Sequence, residues 1–371
     1  MILKIAVLSG DGIGPEITRE SIKVLKAIAF RFGHDFEFTD ALVGSIAIDE
    51  YNNPLPDYTL QVCKEADAVL FGAIGHPKYD NDPSAKIRPE QGLLKLRKEL
   101  GLFANIRPTT IYSKLIGQSP LKADRVTGVD MVIYRELTGG IYFGEKTLND
   151  EKSIATDLCS YSVSEIARIA HMAFKAAQKR NKKLTLVDKA NVLETSRLWR
   201  RVVTEIAQEY PDVALDFLFV DNAAMQLILN PKQFDVMLTE NMFGDILSDE
   251  ASVIGGSIGL AASASVGNKH SLFEPIHGSY PEAAGKGIAN PVASILSAAM
   301  LLEHFDLHDE ASVIKQAVAE SIDQDYSTSD IQPGSEYSTK NVGDFIESLI
   351  LENDGFYANP SNFKIGRSTI I

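Results

Sequence analysis

Three groups of residues in this 371-residue chain have types and spacings suited to chemistry. In "ENMFGDILSDEASVIGG", Asp245 and Asp249 fall one helical turn apart, where like charges cost a few tenths of a kcal/mol unless something offsets them. Water does so on an exposed face, and a bound cation does so in a site. Asp221, closing the run "VALDFLFVD", is a candidate third ligand. Carboxylates without histidine or cysteine suit a hard ion, Mg²⁺ or Mn²⁺, rather than zinc. The second group is basic. Read as one helix, "RPEQGLLKLRKEL" sets Glu90, Leu93, Leu94 and Arg97 on one face at i, i+3, i+4 and i+7. That face is either a core stripe flanked by solvated charges or a pocket wall, with leucines for a branched apolar group and an arginine for a carboxylate. Arg107 in "FANIRPT" and Arg135 in "VIYREL" lie at or near strand ends, where α/β proteins build sites. Three converging guanidiniums would suit a dicarboxylate, because Arg binds planar carboxylates bidentately. Whether they converge stays open. The third group is Lys189, just past a strand in "VDKANVLETS", and Tyr142 in "GGIYFG". They are either structural or a base and an acid whose pKa values the surroundings adjust.

Two glycine-rich stretches are candidates for a nucleotide. "LSGDGIGPEI" follows the apolar run "ILKIAVL", but its glycines are spaced G-x-G-x-G rather than G-x-G-x-x-G. Pro15 suits a first helical turn, and Glu16 then puts negative charge where a pyrophosphate would sit. Asp35 and Glu37 stand near the distance at which a Rossmann fingerprint wants a ribose-binding acid, and acids are also common at strand starts. An ordinary tight turn is the better reading. "EPIHGSYPEAAGKGIANP" crowds His277, Gly278, Gly285, Lys286, Gly287 and Asn290 into one loop before a helix. It fails the P-loop pattern, since Lys286 is followed by glycine, yet its glycines would let a ligand approach the backbone. A plain surface loop is the alternative.

These residues need elements to hold them. Strand-like runs alternate with amphipathic segments at 15–32, 89–100, 163–180, 196–209, 222–229, 244 onward, 290–305 and 309–324. That alternation predicts an α/β protein with a largely parallel sheet. Residues 137–162 break the pattern and read as a hairpin or arm, and the small-residue span 255–267 reads as a crossing between domains. A net charge of −14 excludes the basic footprint that nucleic acid needs. The two cysteines, Cys63 and Cys159, have no metal-type spacing and fit a reducing cytosol. No apolar run near 18 residues and no cleavable signal pattern is present, so a cytoplasmic protein without membrane contact is expected.

Taken together, "GDGIGPE", "RPEQGLLKLRK", "RELTGGIYFG", "DKANVLE", "NMFGDILSDEAS" and "FEPIHGSYPEAAGKGIANP" resemble the isocitrate/isopropylmalate dehydrogenase family of β-decarboxylating dehydrogenases, in order from Lys4 to about His304. The resemblance, closest to the isopropylmalate branch, implies a two-domain fold of that type rather than a Rossmann fold. One domain is expected from 1–102 and 256–371, which carries the cofactor, and a dimer-forming one from 103–255, with its arm near 137–162. It implies that Arg97, Arg107 and Arg135 hold the substrate carboxylates, with Glu90, Leu93, Leu94 and Asp221 also at the substrate. Asp221, Asp245 and Asp249 would bind Mg²⁺ or Mn²⁺, with Lys189 as base and Tyr142 as acid. NAD would lie against His277, Gly278, Glu282, Gly285 and Asn290, with Ile13 as a supporting wall and Glu282 selecting NAD⁺ over NADP⁺. The implied reaction is oxidative decarboxylation of 3-isopropylmalate to 4-methyl-2-oxopentanoate, a leucine precursor. The implied assembly is a homodimer in which Lys189 and Asp221 cross to the partner's site.

Several positions depart from the family pattern: Tyr280, Ala283, His76 and the tail beyond 354. Isocitrate, homoisocitrate or tartrate chemistry is the neighbouring alternative, and leucines at 93 and 94 argue against a third substrate carboxylate, which would lie there unpaired. A non-catalytic nucleotide-binding protein is the alternative of another class.

Overall fold

The computed structural model describes residues 1–81 and 85–352. The chain starts with β1 (Ile2–Gly10), α1 (Gly14–Phe32), β2 (Asp35–Asp40), α2 (Ser45–Tyr51), α3 (Asp57–Glu65) and β3 (Ala68–Ala73). Next come α4 (Pro77–Asp80), α5 (Pro89–Glu99), β4 (Ala104–Thr110), α6 (Ala123–Val126) and β5 (Asp130–Glu136). A short hairpin, β6 (Lys146–Leu148) and β7 (Ala155–Asp157), precedes α7 (Val163–Lys179), β8 (Lys183–Asp188), α8 (Glu194–Ala207) and β9 (Ala214–Phe219). Then follow α9 (Val220–Leu229), β10 (Val236–Thr239), α10 (Asn241–Ser252), β11 (Ala262–Val266) and β12 (Ser271–Pro275). Three helices close the described chain: α11 (Val292–His304), α12 (His308–Asp323) and α13 (Thr339–Glu352).

Among the described residues the strands form one ten-stranded sheet, ordered β2-β1-β3-β12-β11-β4-β5-β10-β8-β9, and the separate β6–β7 hairpin. Both flanks are parallel, as the alternation of strand and helix predicts. The centre is not: β11 runs antiparallel to both neighbours, and β4 antiparallel to β5. The span 255–267, expected as a plain crossing, therefore contains a strand of the main sheet. Local chemistry explains the element ends. Pro15 and Glu16 open α1, and Gly33 closes it in a left-handed conformation (φ +71) that a Cβ would strain. Ser162 and Glu165 form a reciprocal capping box at α7.

The sheet's main apolar core lies under α1, α11, α12 and α13 on one half and α7 and α8 on the other, with Leu25, Ile28, Ile295, Ile346, Phe174 and Trp199 among its large buried members. No helix among the described residues is long and apolar enough to cross a membrane. Two expectations need correction. Asp221 does not close a strand, because β9 ends at Phe219 and Asp221 stands in the first turn of α9. Asp35 and Glu37 cannot serve a ribose at the glycine turn: β2 runs parallel to β1 with Asp35 beside Ile2, so they sit at the sheet end opposite Gly10. The tail from 353 onward lies outside the described residues.

Candidate active site

The antiparallel pairing of β4 and β5 brings two arginines together. Asn105 lies opposite Arg135, and Arg107, two residues on, points from the same face of the sheet. Across from them, α10 presents Asp245 and Asp249. Arg135 Nη1 donates to Asp245 Oδ1. Arg107 Nη1 donates to Asp249 Oδ1 at 2.8 Å and to Ser248 Oγ at 2.6 Å. Other donors are used too: Arg107 Nε donates to Asn105 Oδ1 at 2.7 Å, and Arg135 Nε and Nη2 both donate to Asn241 Oδ1, at 3.0 and 2.8 Å, while Arg107 Nη2 stands 3.8 Å from Asp245 Oδ1. Two buried guanidiniums thus help to offset the like charges on α10. Arg97 donates to Glu274 Oε1 at 2.8 Å, while its buried Nε has no partner among the described residues.

Arg107 and Arg135 both face Asp245 Oδ1, and Arg97 lies near enough for its charge to act on each. Burial, and then the charges of Arg107 and Arg97, pull the Arg135 guanidinium down to about 10. Burial also lowers Arg107, with Arg97 adding to the effect against the pull of the two aspartates. Both remain cationic at neutral pH. Mutual electrostatic influence of this kind needs proximity.

Tyr142 ends a 3-10 turn, Gly140–Tyr142, that follows β5. Its hydroxyl donates to Asp245 Oδ2 at 3.0 Å, and the Arg135 guanidinium lies 5.8 Å from its ring centre. Burial and the Asp245 charge raise its pKa, which keeps the phenol protonated as an acid must be. Lys189 lies with another set. Its Nζ pairs with Asp221 Oδ1 at 2.9 Å, and this bond holds the Asp221 carboxyl below its usual range. The turn carrying Lys189 is fixed by Asp188, which accepts from Ala190 N–H and from two nitrogens of Arg200. Among the described residues of one chain no three acidic, histidine or cysteine side chains gather as a metal site, so Asp221 does not join Asp245 and Asp249 within the chain.

On α5 the residues of the shared face differ in burial. Leu93 packs half-buried against the cluster around Leu8, Phe71 and Leu96, whereas Leu94 is 43% exposed. Glu90 reaches toward Gly75, where an added Cβ would stand 3.0 Å from its carboxylate and 3.5 Å from the Ser279 hydroxyl. Glu90 on α5 and Ser279 of the late loop therefore both approach Gly75.

In that loop His277 Nδ1–H donates to Gly278 O at 3.0 Å, which leaves Nε2 as a buried acceptor without a partner among the described residues. Burial depresses its pKa, so the ring is neutral. Gly278 has no positive φ, and a Cβ there would meet nothing within 4 Å. Neither backbone nor packing requires glycine at 278; a ligand lying on the backbone would. Together with the orphaned His277 nitrogen this fits a nucleotide. Glu282 is exposed on the turn Pro281–Ala283. Asn290 is buried and spends its amide on the protein, accepting from Val292 N–H and donating to Asp330, both at 3.0 Å. Ile13, 3% exposed, packs beneath the loop with Ile17, Ala283 and Ala289, so the small Ala283 is a core residue. His76 accepts from Lys78 N–H at the start of α4. Sequence reasoning missed Asn241, Asn105, Ser248 and Glu274, which orient the arginines. Asn241 and Ser248, both within the aspartate motif, carried a local signal.

A model of the isocitrate/isopropylmalate dehydrogenase family matches residues 4–346, and the chain belongs to this family. A 3-isopropylmalate dehydrogenase of Bacteroides fragilis is 54% identical over 352 residues, 94% of this chain and 99% of its own. One from Wolinella succinogenes is 56% identical over 330 residues, 88% of this chain and 91% of its own. Among solved structures, isocitrate dehydrogenase from Methylococcus capsulatus superposes with a TM-score of 0.85 at 35% identity, covering 94% of this chain and all of that one.

Proposed function

We propose that this enzyme carries out the NAD-dependent oxidative decarboxylation of (2R,3S)-3-isopropylmalate to 4-methyl-2-oxopentanoate and CO₂, in leucine biosynthesis. The observation that carries the reading is the convergence of Arg97, Arg107 and Arg135 beside the Tyr142–Asp245 pair, next to an exposed Leu94. The guanidiniums bind the two carboxylates of the substrate, and Leu93 and Leu94 meet its isopropyl group. Asp245 and Asp249 offer hard oxygen donors on one helical face, so a divalent cation, Mg²⁺ or Mn²⁺, fits them, with Asp221 of the partner subunit completing the set. When bound, NAD⁺ supplies a hydride acceptor for C2 and the cation supplies Lewis-acid polarisation of the C2 oxygen. Lys189 of the partner subunit takes the hydroxyl proton as C2 is oxidised. The β-carboxylate leaves as CO₂ once C2 is a carbonyl, and Tyr142 returns a proton to C3. Glu282 accepts from the adenosine ribose hydroxyls and repels a 2′-phosphate, favouring NAD⁺.

The dimer is part of the same proposal. It is supported by the separation of Lys189 and Asp221 from the rest of the set, and by exposed Met225, Ile228 and Leu229 on α9 and Ile246 and Val253 at α10. The division into 1–102 plus 256–371 and 103–255 is supported by the strand order, since each part supplies five adjacent strands. A cytoplasmic location accords with the unpaired Cys63 and Cys159.

The test is NADH absorbance on adding isopropylmalate, NAD⁺ and Mg²⁺. Rapid NADH formation with isocitrate and none with isopropylmalate would overturn the substrate assignment in favour of the neighbouring chemistry.

A further inference from the structure

The "GDGIGPE" turn takes no part in the proposed chemistry, yet it grips the late loop at two places. Ile13 N–H donates to Ser279 O at 2.8 Å. The Glu16 carboxylate accepts from Gly285 N–H on one oxygen and from Gly287 N–H, at 3.0 Å, on the other. Gly285 and Gly287 have φ of +76° and +63°, and a Cβ on either would meet nothing within 4 Å. Their glycines serve the backbone conformation, which turns both N–H groups toward one carboxylate as a nest turns them toward an anion. Glu16 stands in the first turn of α1, where the helix dipole favours negative charge. On the loop's other side Thr339 N–H donates to Gly287 O at 2.8 Å, and its hydroxyl to Ala289 O at 2.6 Å. With Glu16 in place a phosphate cannot use these two N–H groups.

We propose that Glu16 is a positioning residue for the cofactor loop: its carboxylate holds 281–290 in the binding conformation in the free protein, so that part of the ordering cost of dinucleotide binding is met beforehand. The proposal rests on the reading of the late loop as the NAD site. It gives the early glycine motif its function, which is to shape a distant loop rather than to cradle phosphate.

The test uses the full-length protein with Glu16→Gln, an isosteric change that turns one acceptor into a donor, and Glu16→Asp, which keeps the charge one methylene short. In free protein, amide hydrogen exchange at Gly285 and Gly287 should accelerate about tenfold or more in both variants, as expected for loss of charge-assisted bonds. The Kd for ADP-ribose by calorimetry and the KM for NAD⁺ should rise by about the same factor. The kcat and the KM for isopropylmalate should stay within about twofold. Unchanged exchange at the two glycines, unchanged ADP-ribose affinity, or wild-type behaviour of Glu16→Asp overturns the proposal. If the wild-type protein itself fails to bind ADP-ribose, the fault lies instead with the loop as cofactor site, and the proposal falls with it.

Discussion

The two acidic sets of this chain are built in opposite ways. Asp245 and Asp249 face two buried arginines that are also held by Asn105, Asn241 and Ser248. Lys189 and Asp221, by contrast, meet at the surface, on the edge of the sheet where β9 exposes Phe217 and Phe219. The two buried arginines hold this set without any ligand, because removing a partner would leave an uncompensated buried charge. The surface pair is screened by water and gives way at little cost to a better partner. On the proposed function, the first set serves its own chain's site and the second serves the partner subunit's.

The sharpest way to break this comparison is complementation. Tyr142→Phe and Lys189→Met homodimers should each lose roughly 10²–10⁴-fold in kcat, the usual scale for an acid or base. A doubly tagged heterodimer of the two contains one site with both lesions and one with none, and should recover about half of wild-type activity. Activity near the parental background would mean that both residues serve the same chain's site, and the division between the two sets would be gone.

A smaller effect concerns the cation. Asp249→Asn should raise the Mg²⁺ concentration needed for half-maximal activity on the order of 10–100-fold, with an unaltered far-UV spectrum. Full activity of EDTA-treated wild-type protein would rule out the cation altogether. Leu94→Ala should reduce kcat/KM for isopropylmalate about tenfold or more, from roughly 1–3 kcal/mol per lost methylene contact. Malate, which has no isopropyl group, should be nearly unaffected. Equal losses on both would remove Leu94 from the pocket.

The last effect concerns stability rather than activity. Glu240, just before α10, is buried with Oε2 unpartnered, and burial followed by the nearby Glu136 charge raises its pKa from 4.5 to about 7. The folded protein therefore holds this proton more tightly than the unfolded chain. Its stabilising contribution is complete below about pH 4.5 and is lost as pH rises through about 7. Glu240→Gln should leave stability nearly unchanged near pH 4.5 and raise it at pH 8 by on the order of 3 kcal/mol. Denaturant titrations at the two pH values measure this, and a gain independent of pH would assign it to packing instead.

Much of this was legible beforehand because it depends on short-range periodicity. The helices at 15–32, 89–100 and 163–180 fall within a residue or so of α1, α5 and α7, since apolar spacing and caps act within a few residues. The antiparallel centre of the sheet was not legible. A strand such as "ASASV" has small residues on both faces, and its direction is set only by which neighbours it joins. For the same reason α13 went unread, because "NVGDFIESLILE" declares its buried face only once α1 packs against it.

For the site, sequence by itself determined the types: three arginines, three aspartates, a tyrosine, a lysine and a glycine-rich loop, in an order that resembles one family. Types and order are properties of the chain and need no coordinates. Tertiary structure decided the pairings, since these depend on strand register and helix placement across more than a hundred residues. It put Arg107 and Arg135 on one face of two antiparallel strands, opposite α10. It also separated Asp221 from the other two aspartates and bound Glu16 to Gly285 and Gly287, 269 and 271 residues away. No local pattern encodes a hydrogen bond across that distance, because it exists only when the core beneath both partners has formed.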